Sequence, residues 1–294
     1  MRLLLSLIGA LAIQAGATAA CPPEGMSRSQ LAALRSAKWD VADNARRQLM
    51  AGAMLDCLAD PDPLLRDDTG FEALQMWMRT QKLEPATMQK LRATLQARMQ
   101  APEPSGFAAP FAALALAEVV RADRLKPFLS DGERADIVRA ATAYLGAVRD
   151  YRGFDEKDGW RHGVAHAADL MLQLALHPAL GKPEHQAMLA AIASQLSTPG
   201  MQNTPHFYRY GEGERLMAPV YYLARRTTID GADWEAWFAA LVPKAGEQSQ
   251  AALAYRHNLK SFLYPLYASL AESKDEAQRA RLLPLVTKVL KQLD

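Results

Sequence analysis

Several common signatures are missing from this sequence. It has no Gly-rich phosphate loop, no G-x-S-x-G elbow and no S-x-x-K motif, so the usual local marks of phosphate binding and serine nucleophiles are absent. Neither sign of charge is in excess. The chain carries 34 basic and 32 acidic side chains, a formal net charge of +2. That field is too weak to imply nucleic-acid or anionic-membrane binding. Alternating runs of Val, Ile and Thr are lacking, which argues against sheet. No apolar run reaches the about 20 residues a membrane helix needs, so no transmembrane segment is expected in the mature chain. Cysteine occurs only twice, at Cys21 and Cys57.

What is present points to helix. Half of the 294 residues are hydrophobic, and the chain is rich in Ala, Leu, Met, Gln, Glu and Arg, all good helix formers. The composition reads as all-α, and the length is enough for a large core.

The first residues read as a targeting segment. Arg2 supplies a positive start and "LLLSLIGALAI" an apolar stretch, interrupted by Ser6 and followed by Gln14. "ATA" at 17–19 fits small-x-small cleavage before Ala20. The expectation is a signal peptide over 1–19, export to the periplasm or the medium, and a single all-α helical-repeat domain over 20–294. Both cysteines would then meet an oxidising compartment. A Cys21–Cys57 disulfide would pin the mature N-terminus to the helix ending near Leu58. The alternative is a lipoprotein anchored through Cys21: "TAAC" has the small residues but lacks the usual Leu three positions before the cysteine.

From Ser27 onward the chain is a succession of amphipathic segments broken by Pro, Gly or Asp. Ser27 and Asp40 stand where N-caps are wanted. After Asp40, Val41, Ala45, Leu49, Ala53 and Cys57 recur at helical spacing. Asp60-Pro61-Asp62-Pro63 interrupts helix because proline lacks an amide donor and restricts its predecessor. Phe71, Leu74, Trp77 and Met78 then restart the stripe. The pattern predicts helices over 86–99, 107–124, 131–150, 161–176, 183–196, 213–226, 232–244, 249–272 and 275–292. "QAPEPSG" at 100–106 is the most linker-like stretch. "STPGMQNTPHFYRYGEGE" at 197–214 is the longest irregular one, and its aromatics imply packing.

The densest chemistry lies in "GWRHGVAHAADL", residues 159–170. Inside one helix His162 and His166 would share a face, as in H-x-x-x-H metal sites, and Asp169 would fall nearby. Asp169 is too far along the axis from His162 to be a good third ligand, and is better suited to accept a hydrogen bond from His166. A third ligand would come from His206, Glu212, Glu214 or His257. No Glu stands inside H-x-x-x-H, so a metalloprotease base is missing. Three readings stay open: a hydrogen-bonded helix seam, a catalytic or ligand site without metal, and a zinc site on His162 and His166.

Two resemblances add to this. The helix, D-P-x-P turn, Arg, helix arrangement of 41–83 is similar to a HEAT-type helical repeat. "RGF" at 152–154, "DGWRHGVAHAADLML", "YGEGERLMAPVYYLARR" and "NLKSFLYPLY" resemble an uncharacterised bacterial helical family, a domain of unknown function with a G-W-x-H-x-x-A-H-x-A-D-L-L core. The resemblance implies an α-helical repeat fold and no activity. It groups Arg152, Trp160, His162, His166, Asp169, Glu212, Glu214, Arg215, Asn258 and Lys260 into one shared feature. Carboxylates opening the helix near 213 suit its positive end, which is a structural reason for Glu214. Asn258 and Lys260, on an otherwise apolar helix, need a polar seam or cleft.

The reading is therefore an α-solenoid-like stack of antiparallel helical hairpins. It would serve as a cell-envelope binding or scaffold protein using an inter-helix groove, with no cofactor. Arg152, Trp160, Arg215, Asn258 and Lys260 are candidate ligand contacts, and the partner is an envelope protein or a small anionic ligand. The alternative is a metal-dependent or acid/base hydrolase on His162, His166 and Asp169.

Overall fold

A computed structural model describes residues 21–197, 205–244 and 246–293. The expected signal peptide therefore lies outside the described residues. Helix α1 (Arg28–Ser36) begins behind Ser27. The Ser27 hydroxyl accepts from the Gln30 amide and the Gln30 side chain returns to the Ser27 amide, a reciprocal cap of two orphan donors. Helix α2 (Asn44–Cys57) starts later than expected: its cap is Asp43, not Asp40. The stripe is also rotated. Leu49 is 77% exposed, while Met50, Ala51, Met54, Leu55 and Cys57 are buried. This broader face covers more apolar surface than the narrow row read through Leu49.

The Asp-Pro-Asp-Pro turn ends α2, and Pro63 opens a short helix, α3 (Pro63–Leu65), capped by Asp62. A π-helical segment, Arg66–Phe71, leads directly into α4 (Glu72–Arg79). Gly70 permits that segment to lie on α2, since a Cβ there would meet the Cys57 Cβ at 2.8 Å.

The remaining helices fall within about one turn of their expected limits: α5 (Pro85–Gln100), α6 (Ala108–Leu125), α7 (Asp131–Ala147), α8 (Gly163–Leu176), α9 (Lys182–Leu196), α10 (Glu212–Leu223), α11 (Gly231–Ala240), α12 (Gln250–Ala271) and α13 (Glu276–Leu290). The only strands among the described residues are β1 (Phe154–Asp155) and β2 (Gly159–Trp160), paired antiparallel with Phe154 opposite Trp160. The fold is all-α. No helix among the described residues is long and apolar enough to cross a membrane.

Helices α4, α6, α8, α10 and α12 pack in succession as one layer, and α2, α5, α7 and α9 as a second. The arrangement is the expected stack of antiparallel hairpins. The linker-like 100–106 stretch is the loop inside the α5–α6 hairpin. A continuous core runs between the layers, with Trp77, Leu116, Met171, Leu216 and Phe262 fully buried. Trp77 donates from Nε1 to the Trp39 carbonyl at 2.7 Å. Trp234 is fully buried and Trp237 packs against the core. Gly213 allows α10 to press on α12: a Cβ there would come within 2.7 Å of Ser261 backbone.

Cys21 and Cys57 form the expected disulfide, with Cα atoms 5.0 Å apart. A Cys21 so engaged has no thiol for acylation, which opposes the lipoprotein alternative. The bond spans a separation of 36 residues, a loop whose closure stabilises by about 3–4 kcal/mol in the chain-entropy picture. Cys57→Ser should therefore lower unfolding free energy by about that amount, read from urea unfolding at constant pH. An unchanged midpoint would mean that α2 is anchored by core packing alone.

Candidate functional site

The hairpins have two kinds of connection. Those inside the hairpins pack on one another: 101–107 meets 148–162 through Arg152 and Arg161, and 148–162 meets the described residues 205–211 through Gly153 and Tyr210.

The first loop is ordered by an internal carboxylate. Glu103 Oε2 accepts from the amides of Gly106, Phe107 and Ala108 at 2.9, 2.8 and 3.0 Å, and its Oε1 accepts from Ser105 N at 2.6 Å. It thus fills the positive start of α6. Burial opposes the charged form, but these donors hold the Glu103 pKa below its usual value. The same loop presents the Phe107 ring to two guanidinium groups: Arg66 lies 4.1 Å and Arg161 4.3 Å from its ring centre. Arg66 is fully buried. It donates to the carbonyls of Asp60 and Asp158 at 3.0 and 2.8 Å and lies 2.8 Å from Asp67 Oδ2. Burial still lowers its pKa.

The second loop is the β1–β2 hairpin. Backbone bonds from Arg161 to Gly153 and from His162 to Arg152 extend its ladder. Asp155 closes the turn by accepting from the amides of Lys157 and Asp158. Arg161 is tied to the Ser105 carbonyl at 2.9 Å and to Asp158 at 3.1 Å. Arg152 pairs with Asp150 and reaches the Ser105 carbonyl.

The third loop is held by α12. Asn258 accepts from the Tyr208 amide at 2.8 Å and donates to the His206 carbonyl at 2.9 Å. His257 Nε2 lies 3.0 Å from the Tyr208 carbonyl, and Tyr208 is buried. Glu212, buried at the start of α10, accepts from the amides of Arg209 and Tyr210 at 3.2 and 2.8 Å; burial raises its pKa. The Tyr210 ring then covers Gly153, where a Cβ would come within 2.0 Å of it.

Between the second and third loops lies a cleft of about 420 Å³, open to solvent and lined by Arg152, Arg161, Arg209, His206, Phe154 and Tyr210 among others. Three guanidinium groups face one carboxylate, Asp155. Arg209 is exposed, and its guanidinium makes no hydrogen bond or ion pair with the described residues. His206 stacks on Tyr151 with centroids 4.8 Å apart. Burial lowers its pKa, and Arg209 lowers it further.

The residues singled out in the sequence divide into three groups. Arg152 lines the cleft, and Trp160 stands beside it, 5.8 Å from the Tyr210 ring. Asn258 holds backbone, and Lys260, partly buried, lies one half-turn on. The histidine cluster is arranged differently from expectation. His162 is not inside the helix but caps it, with φ +55°. Its ring stacks near Trp160 at 4.1 Å and its Nε2 lies 3.1 Å from the Tyr210 carbonyl. His166 is buried against Phe111, with ring centres 4.9 Å apart, and its Nδ1 has no partner. The His162 and His166 ring centres are 5.8 Å apart and edge-on. Asp169 turns to Arg215 instead of His166. Burial raises its pKa, against the opposing pull of Arg215.

Of the proposed third ligands, Glu212 and His257 serve the 205–210 segment, His206 stacks on Tyr151, and Glu214 is exposed. No group of three or more His, Cys, Asp or Glu that could hold a metal ion occurs among the described residues. Sequence reasoning missed Arg161 and Arg209. Arg161 follows Trp160 directly and Arg209 stands three residues before Glu212, both residues singled out in the sequence, but an isolated arginine has no periodicity to mark it.

A family model described as protein of unknown function (DUF2785) matches residues 73–268. The chain belongs to that family. No curated protein and no solved structure matches it. The DUF2785 span runs from α4 into α12 and contains every residue lining the cleft, whereas the disulfide lies before it.

Two measurements check this geometry. Burial pushes the His166 pKa down to about 3, and His162 and Arg215 push the same way. The unfolded chain therefore takes up that proton first, and stability is lost as pH falls from about 6.5 toward 3. His185, lowered to about 4 by burial, acts in the same direction. Going from pH 7 to pH 5 should cost about 2 kcal/mol through His166 alone. Urea unfolding of His166→Asn should show a correspondingly flatter acid limb; an unchanged limb would mean that the ring is solvated. Gly153→Ala should displace the Tyr210 ring and cost about 1–3 kcal/mol by overpacking, measured by thermal unfolding.

Proposed function

We propose that this protein is an exported binding protein of the cell envelope, a single helical-repeat domain over 20–294, whose inter-loop cleft takes a small anionic ligand. Arg209 carries the reading. It presents a guanidinium uncommitted among the described residues to a solvent-open cavity that already holds Arg152 and Arg161. A surface arginine usually extends freely into water. This one stands over a concavity beside two arginines whose orientation is set by Asp150, Asp158 and the Ser105 carbonyl. Such preorganised donors bind an anion with little further ordering. The Cys21–Cys57 disulfide and the apolar N-terminal stretch support an oxidising compartment outside the cytoplasm.

A hydrolase on His162, His166 and Asp169, with or without zinc, has less to rest on. His162 faces a backbone carbonyl, His166 is enclosed, and Asp169 is paired with Arg215. None of the three lines the cleft.

Calorimetric titration with acetate, succinate, citrate and inorganic phosphate tests the proposal. At least one carboxylate should bind. Arg209→Ala should weaken it about 10- to 100-fold, the loss of one hydrogen bond to a charged group, without lowering the melting temperature of the free protein. The absence of binding by every anion in the series would overturn the reading.

A further inference from the structure

The cleft has an aromatic wall that the arginines do not explain. Phe154, Trp160 and Tyr210 are 49%, 38% and 36% exposed. They form one patch, with Phe154 5.0 Å and Tyr210 5.8 Å from Trp160 between ring centres. Four of the five tryptophans pack into the core or against it; Trp160 is the exception. Three large rings kept in water beside a charged cavity form the kind of exposed apolar patch that marks a binding surface.

We infer that the ligand is an acidic sugar, whose carboxylate is gripped by Arg209 and Arg152 while a pyranose face lies on Phe154, with Tyr210 at its edge. This inference rests on the anionic-ligand reading above. Two observations select the class. The first concerns the anion. Phosphate groups favour nests of backbone amides, and the amides of the cleft's own Arg209 and Tyr210, like those of the neighbouring 105–108 loop, are already taken. Glu103 occupies the amides of 105–108, and Glu212 occupies those of Arg209 and Tyr210. The remaining donors are guanidinium forks, which grip carboxylate and phosphate alike; without an open amide nest among the lining residues, the phosphate loses its usual advantage and the carboxylate is favoured.

The second observation concerns the apolar part. The rings of the patch are inclined to one another, Phe154 by 57° and Tyr210 by 90° relative to Trp160. No parallel pair exists between them to sandwich a flat base. A pyranose needs only a single ring face, because its C–H groups carry the partial positive charge that the negative face of an aromatic ring attracts. The cavity of about 420 Å³ lies within the range of small-molecule sites.

The test uses the full mature chain, titrated with glucuronate and galacturonate trisaccharides, a neutral galactose trisaccharide, acetate and inorganic phosphate. Binding is followed by calorimetry and by tryptophan emission. An acidic trisaccharide should bind at least 10-fold tighter than acetate and shift the emission of Trp160; the neutral sugar should not bind. Phe154→Ala, at the most exposed ring, should remove that 10-fold advantage and leave acetate binding intact. Arg209→Ala should weaken both ligands. If the acidic trisaccharides bind no tighter than acetate, or if phosphate binds more tightly than they do, the sugar inference is overturned while the anion reading stands. If neither acetate, phosphate nor the acidic sugars bind, both are overturned.

Discussion

The buried guanidinium of Arg66 is the constraint on which this architecture turns. Taking a charge wholly out of water is costly unless its donors are used and a counter-charge is near. Here the donors reach the Asp-Pro-Asp-Pro turn behind it and the Asp158 carbonyl of the hairpin 92 residues away, with Asp67 beside them and Phe107 on the flat face. The Arg66 Nη donors and flat face thereby fix the relative positions of the first turn, the start of α6 and the hairpin tip, while its buried Nε finds no partner among the described residues. The π-helical turn that carries Arg66 fits this role, since such bulges re-aim a side chain at the expense of regular helix hydrogen bonding.

The same logic continues outward. Phe107, packed on Arg66, also packs on Arg161; Arg161 holds Ser105 and Asp158; and Gly153, next to the hairpin ladder, seats Tyr210. The polar and aromatic groups of the cleft thus come from loops, but each loop is tied to its neighbour by buried or half-buried contacts. The helices supply the even spacing that stacks those loops on one edge. Repeat folds commonly place their binding surfaces in this way, because the regular layer carries stability and the loops are free to vary.

Much of the fold was legible in the sequence because it follows from local rules. The Ser27 cap, Pro61 with Pro63, and the helical succession from 86 onward each act within a few residues, and the structure agrees with them. Among the readings that failed, two show where local information was insufficient. The row through Leu49 has the right period but the wrong phase, since Met50 and Met54 offer a competing row and only the neighbours of α2 choose between them. His162 was read as helical from its spacing to His166. The hairpin that ends at Trp160 instead forces a left-handed turn at His162, which separates the two rings and leaves His166 enclosed. The candidate site was half visible: Arg152 and Trp160 were named, but Arg161, Arg209 and the ring of Tyr210 were not.

The amino-acid sequence by itself determined an all-α chain, the places where helices start and stop, and a cysteine pair suited to one bridge, because propensity, capping and proline chemistry act over short distances. Only the tertiary structure decided which charged groups are spent and which remain available. Arg66, Arg161 and Arg209 are the same residue type with the same intrinsic chemistry. What distinguishes a buried strut, a half-buried brace and, at a cleft, a guanidinium uncommitted among the described residues is the set of distant groups that folding brings to each.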